Sequence, residues 1–340
     1  MDEVKSAASS TALSDKRDRA REFRERLRLP VVASPMFIVS TPQLVIEQCK
    51  AGIVGSIPAL NARPKELLAE WIAEIKEALA AHDHAHPKRP AAPFAFNQIA
   101  HRTNDRLDHD MQVIADGQVP IVIVSLAAPE NILSAVHSYG GLVINDVVNA
   151  RHARRCIEAG VDGLIAVAAG AGGHTGTISP FALVAEIREF WGGLLGLGGA
   201  IANGRAILAA EVMGADFAYI GTPFIAAEEA NAQAGYKQML VEATAEDIVM
   251  SDKLTGVKAN FMRQSLLENG IDPKGPGAPG ERGFGEGGSS YKAWRDIWSA
   301  GHGVGSIAST RPTRAIVDEL AAQYVAGRDR LCTKDNRWRL

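Results

Sequence analysis

Cysteine is scarce in this chain: only Cys49, Cys156 and Cys332 occur among 340 residues, and they stand far apart. None forms a CxxC pair, which disfavours a zinc site and a disulfide framework and fits a reducing compartment; a cytoplasmic location is expected, with no metal. Long hydrophobic runs are missing as well. No apolar stretch approaches the roughly 18 residues that span a bilayer, and the segment from Met1 to Arg28 is charged and polar without a signal-peptide core, so no membrane association is expected. Positive charge is not in excess. The 36 Lys and Arg against 39 Asp and Glu give a formal charge of −3, whereas nucleic-acid binding needs clustered basic residues. These absences point to a small-molecule substrate.

What remains is the composition of a folded globular protein, 46% hydrophobic and 22% charged, with length for one large domain and a smaller one. Eight short apolar runs recur: Pro30 to Phe37, Gly52 to Ile57, Phe94 to Ile99, Val119 to Leu126, Leu142 to Val147, Gly163 to Ala168, Gly193 to Leu197 and Phe217 to Gly221. Most are continuous rather than alternating, as strands covered on both faces require. Helical patterns lie between them, at Pro42 to Lys50, Pro64 to Ala81, Asp105 to Asp116, Pro129 to Tyr139, Ala150 to Ala159, Pro180 to Phe190 and Gly204 to Met213. Ser40-Thr41 before Pro42, and Ser179 before Pro180, read as hydroxyl caps followed by a first-turn proline. The pattern predicts an α/β fold, a (β/α)₈ TIM barrel with a small, mainly helical insertion or lid after strand eight.

That insertion is expected over residues 226–300, with helices at Glu228 to Thr244 and Ala259 to Leu267 and a Gly/Pro-rich stretch behind them. Residues 29–225 and 301–340 would form the barrel, closed by an amphipathic helix over Pro312 to Val325. Residues 1–28 would form an N-terminal extension, frayed or a peripheral helix. No repeat appears beyond the strand–helix alternation itself.

Two glycine-rich loops carry the strongest chemical signal. Gly196-Leu-Gly-Gly-Ala200-Ile-Ala-Asn-Gly204-Arg205 follows strand seven and opens a helix, and Gly221-Thr222 follows strand eight. In a barrel these loops are neighbours at the carboxyl face, where N–H groups and helix N-termini bind phosphate. Taken singly, such glycines serve equally well as tight turns. Ala169-Gly-Ala-Gly-Gly-His174-Thr-Gly176 follows strand six and places a histidine, the side chain that exchanges protons near neutrality, at the barrel mouth. Ala33-Ser34-Pro35-Met36 and Asn97-Gln98 end strands one and three. Asn97 has the groups for a bidentate contact with a heterocycle edge, and the backbone from Ser34 to Met36 is placed to reach ring carbonyls.

Together with Ser40-Thr41-Pro42, these motifs resemble the nitronate monooxygenase family, once called 2-nitropropane dioxygenases, in order from about Leu29 to Ala308. The resemblance implies FMN bound non-covalently. Ser34, Pro35, Met36 and Asn97 would lie at the ring, and Gly172, Gly173, Gly198, Gly199, Ala200, Gly221 and Thr222 along the ribityl phosphate. His174 would be the catalytic base or hydrogen-bonding residue, and alkyl nitronates would be oxidised with O2 to carbonyl compounds and nitrite. The helical insertion would act as a substrate lid, and a homodimer is compatible with the family. His302 stands in Trp298-Ser-Ala-Gly301-His302-Gly303, where the family more often has Gln, and is the candidate substrate contact. Asn145 and Asp146, where relatives often carry Lys or another residue, and the loop from Asn269 to Ser290 receive no role. The same motifs serve NAD(P)H-dependent quinone and enoyl-thioester reductases of this superfamily, and the glycine loops alone would serve a flavin-free phosphate-binding barrel.

Overall fold

The computed structural model describes residues 20–126, 130–272 and 294–332. Eight parallel strands form the barrel: β1 (Val31–Ala33), β2 (Gly55–Pro58), β3 (Phe94–Ile99), β4 (Ile121–Ser125), β5 (Leu142–Val147), β6 (Gly163–Val167), β8 (Leu194–Gly198) and β9 (Phe217–Ile220). The hydrogen-bonded order is β1-β9-β8-β6-β5-β4-β3-β2. A parallel bridge between Val32 and Val54 brings β1 back to β2, so the sheet meets itself. All eight expected strands are present, which is the (β/α)₈ architecture.

Period-two alternation divides each strand between two environments. Val32, Val54, Ala95, Ile121, Ile123, Ile144, Ile165, Leu194 and Phe217 pack together in the lumen. Val122, Val124, Val143, Leu164, Ala166, Leu195 and Leu197 belong to the layer under the surrounding helices. Because both faces are covered, the strands read as unbroken apolar runs.

The helices begin where side chains satisfy their first N–H groups. Thr41 accepts from Leu44 N at the start of Pro42–Ala51, Asn149 from His152 N before Ala150–Ala159, and Asn203 from Ala206 N before Gly204–Val212. Ser179 occupies the cap position before Pro180–Arg188, but its hydroxyl makes no capping bond. The C-terminal helix Thr313–Cys332 packs on Gly204–Val212 and Pro42–Ala51, closing the outer wall over β1 and β9.

Three expectations need correction. The described part of the N-terminal segment, helical over 20–25, is not peripheral: Ala20 and Phe23 are buried in the lumen cluster, and the Phe23 ring lies 5.5 Å from that of Phe217, stopping the amino-terminal end of the barrel. The helix expected over Ala259 to Leu267 divides into strand β11 (Ala259–Met262) and a short helix, Arg263–Glu268. Strand β11 pairs antiparallel with β10 (Ile248–Ser251) and with β7 (Gly173–His174) in a three-stranded sheet above the barrel. Long-range pairing overrides local helical propensity here. The expected helix from Glu228 shortens to Ala234–Glu242. Most of the Asn269 to Ser290 loop lies outside the described residues. No helix among the described residues is long and apolar enough to cross a membrane.

Candidate active site at the barrel mouth

The carboxyl ends of the strands supply a polar layer above the apolar lumen. Alternation puts Ser34 on the face of Val32, Asn97 on that of Ala95, Ser125 on that of Ile123, Asp146 on that of Ile144, and Tyr219 on that of Phe217. Asn97 is buried, and its amide Nδ2 donates to Ile123 O and to Ser125 Oγ, each at 3.0 Å. Both N–H groups are therefore spent, and Asn97 offers a ligand its Oδ1 acceptor alone rather than the bidentate edge expected from its residue type. Burial raises the Asp146 carboxyl, opposed by hydrogen bonds from the Ser125 hydroxyl and Leu126 N–H and by nearby His152. Burial also drives the Tyr219 phenol well above its usual range, helped by the negative Asp146 and opposed by a hydrogen bond with Ser34.

The segment after β1 differs from expectation in its donors. Ser34 N–H is bound to Ile220 O at 2.8 Å and Met36 N–H to Ser40 Oγ at 2.9 Å, while Pro35 has none. This backbone has no N–H left to reach ring carbonyls. The Met36 sulfur lies against Gly221, so its side chain is what the segment presents to the mouth.

Around the two glycine loops, the N–H groups of Gly199, Gly221 and Thr222 have no backbone acceptor among the described residues. Gly199 has φ +145°, and a Cβ there would stand 2.9 Å from Ala169 O, so only glycine keeps this N–H in the cradle. Ala200 and Gly173 behave otherwise. Ala200 N–H is bound to Gly170 O at 3.2 Å and Gly173 N–H to Ser299 Oγ at 2.7 Å, so these two tie loops together. Gly170 O also accepts from His302 N, and Gly301 N donates to Thr222 Oγ1 at 2.9 Å. The histidine loop, the phosphate-type loops and the segment before His302 are thus laced at one end of the barrel. Gly172 and Gly301 permit this approach: a Cβ on Gly172 would lie 2.7 Å from Gly301 N.

His174 stands in strand β7, held by its pairing with Ala259, and its side chain is open to the mouth. The Trp294 indole packs edge-on to the imidazole at 5.3 Å and is stacked in turn on buried Phe261, also at 5.3 Å. Partial desolvation beside these rings lowers the proton affinity of the imidazole below its usual range, which favours the neutral form that accepts a proton. Ser299 organises the wall behind it, donating to Asn260 O at 2.6 Å while accepting from Gly173. His302 is exposed, with Nδ1 beside Gly170. No metal-ligating cluster occurs among the described residues.

Sequence reasoning did not single out Ser125, Tyr219, Trp294 or Ser299. Lumen-facing alternation with Phe217 and Ile123 was available for Tyr219 and Ser125. Trp294 and Ser299 carry no local signal, because their positions depend on contacts with β7 and β11.

Fold and site together define a barrel enzyme whose functional groups gather at the carboxyl ends of its strands. The nitronate monooxygenase family model matches residues 24–278, and the chain belongs to that family of oxidoreductases. A relative from Mycobacterium tuberculosis named as a monooxygenase is 29% identical over 234 residues, 64% of this chain; the chain spans 60% of that relative's length. The nitronate monooxygenase of Paraburkholderia phytofirmans is 25% identical over 284 residues, covering 73% of this chain and 77% of that one. The nitroalkane oxidase of Streptomyces ansochromogenes shares the fold with a TM-score of 0.73 at 23% identity, over 90% of this chain and 99% of that structure.

Proposed function

We propose that the chain is an FMN-dependent nitronate monooxygenase with His174 as its proton-handling residue. The observation that carries this reading is the lacing at Gly170, whose carbonyl joins the histidine loop to Ala200 of the phosphate-type loop and to His302. One mouth then offers three groups at once: N–H donors for a phosphate, an acceptor for a ring N–H at Asn97, and a neutral imidazole. The residues fit FMN, since Gly199, Gly221 and Thr222 supply N–H groups that the protein leaves without backbone acceptors, and a side chain at Gly199 would collide with Ala169 O and displace that N–H.

When bound, FMN would supply electron acceptance from the substrate. The residues do the rest. Gly199, Gly221 and Thr222 hold the phosphate, Asn97 and Met36 meet the ring, and His174 accepts or shares a proton at the substrate. Trp294 and Phe261 exclude water from one side of the imidazole. The reaction balances as two nitronate anions and one O2 giving two carbonyl compounds and two nitrite ions.

The test is an anaerobic spectrum of the purified protein before and after propyl-2-nitronate and, separately, NADH. Bleaching of the flavin band by nitronate alone, with nitrite formed on admitting air, is expected. Bleaching by NADH alone would move the chain to a reductase function, and a colourless protein that takes up no FMN would remove the cofactor.

A further inference from the structure

Ile38 stands at φ +67°, in the left-handed region, where a β-branched side chain is a genuine outlier. Such a conformation persists only where the surroundings over-determine it. The 2.9 Å bond from Ser40 N–H to Met36 O closes the loop after β1 but does not choose its form, because one turn of right-handed helix makes the same i+4 to i bond. The choice comes from outside the loop. The φ and ψ of Ile38 are the rotations of its two flanking peptide planes, and each plane is pinned by an asparagine from a different part of the chain. Asn61 Oδ1 accepts from Ile38 N–H at 3.0 Å, and Asn231 Nδ2 donates to Ile38 O at 3.1 Å. Asn61 Nδ2 also donates to Met36 O at 3.1 Å and to Ser40 O at 2.9 Å, so one side chain grips the start, middle and end of the loop. Asn61 is itself held. It ends a 3₁₀ turn, Ala59–Asn61, directly behind β2, and Arg106, paired with buried Asp110 at 3.0 Å, donates to the next carbonyl, Ala62 O, at 2.7 Å.

We propose that Asn61 is a positioning residue that, with Asn231, keeps Ile38 left-handed and so seats the Met36 side chain at the barrel mouth, where its sulfur lies against Gly221. With FMN as the occupant, an assumption this inference takes from the reading above, Met36 is the contact through which Asn61 acts on the flavin ring. Without Asn61 the Ile38 peptide relaxes to an ordinary right-handed conformation, Met36 O loses a donor, and the thioether leaves its seat. Binding FMN then has to re-impose the strained turn, and the apparent affinity falls by the fraction of molecules that hold it.

The experiment titrates apoprotein with FMN, following flavin fluorescence, and measures urea unfolding of each apoprotein separately. Asn61→Ala should weaken FMN binding by about fivefold or more, the lower end of the cost of holding such a backbone conformation. Asn231→Ala, which frees the other peptide plane, should act in the same direction. Adding Ile38→Gly to Asn61→Ala should recover much of the loss, since glycine adopts a left-handed φ without strain. In a Met36→Ala background, Asn61→Ala should cost no further FMN affinity while still lowering the urea midpoint. A role in stability alone would move the midpoint and leave FMN affinity where it was. Affinity within about twofold of wild type in both asparagine variants, no recovery with Ile38→Gly, or an undiminished Asn61→Ala loss in the Met36→Ala background would each overturn the proposal while leaving FMN as the cofactor. Failure of the wild type to bind FMN would overturn the cofactor reading and this inference with it.

Discussion

Alanine at Gly199 is a one-methyl change whose effect follows from two features of the cradle. The residue sits at φ +145°, a conformation L side chains rarely adopt, and the added Cβ would stand 2.9 Å from Ala169 O, a carbonyl fixed by the backbone. Holding a non-glycine residue in such a region costs about 1–3 kcal/mol. The loop relieves that strain by rotating, and rotation takes the Gly199 N–H out of the phosphate site. The cost therefore appears in binding: FMN affinity should fall roughly 5- to 150-fold at about 1.4 kcal/mol per tenfold. Gly198→Ala is the control, because Gly198 has no left-handed φ and its Cβ would meet the Tyr219 ring at 3.3 Å, a contact a side chain relieves by a small shift. Apoprotein titrated with FMN gives the affinities, and urea unfolding of the apoprotein gives the stability change separately. A Gly199→Ala protein that binds FMN within about twofold of wild type would refute the cradle.

Three further outcomes are expected. His174→Asn should retain FMN and lose turnover by about 10²-fold or more, the scale of a positioned acid or base, measured as nitrite release with propyl-2-nitronate. Burial lowers the His174 proton affinity, so kcat/KM should rise with pH through a midpoint below about 6.5 and then level off. Between that midpoint and the ordinary imidazole value the unfolded chain holds the proton and the folded chain does not, so the same group adds stability as pH rises. Trp294→Ala should move the midpoint up by admitting water to the imidazole; a downward move would show the indole stabilising the imidazolium as a cation–π partner instead. Ser299→Ala would leave Gly173 N–H without its 2.7 Å acceptor, at a cost of about 1–3 kcal/mol seen in urea unfolding, with kcat reduced as β7 loosens.

The barrel was legible because its strands are covered on both faces, and unbroken runs such as Val31 to Ala33 and Gly163 to Val167 leave little choice of structure. The glycine loops were legible for a related reason: few roles tolerate Gly198-Gly199 directly after a strand. Other features depend on contacts that no local window contains. Ala259 to Met262 has no strong strand bias and becomes a strand because Gly173 and His174 lie alongside it. The roles of Asn97 and of the Ser34 to Met36 backbone turned on which hydrogen bonds were already taken, by Ile123 O and Ser125 in one case and by Ile220 O and Ser40 in the other. Residue type states what a group is able to donate or accept; only the folded arrangement shows what remains free.

The small sheet above the barrel has one further consequence. Strand β7 leaves the barrel wall, and its partner β11 returns only after the last barrel strand and the helices behind it. The imidazole is thereby registered against a unit that is not part of the barrel's own closed hydrogen-bond ring. Sub-global opening of β10 and β11 would carry His174 out of place while the eight-stranded wall and the cradle at Gly199 stay folded. Hydrogen exchange at the amides of residues 259–262 would then report how often the enzyme is disarmed, and exchange in β4 and β5 how often it is unfolded. On the proposed reading, the chemistry and the scaffold of this protein would open at separate rates.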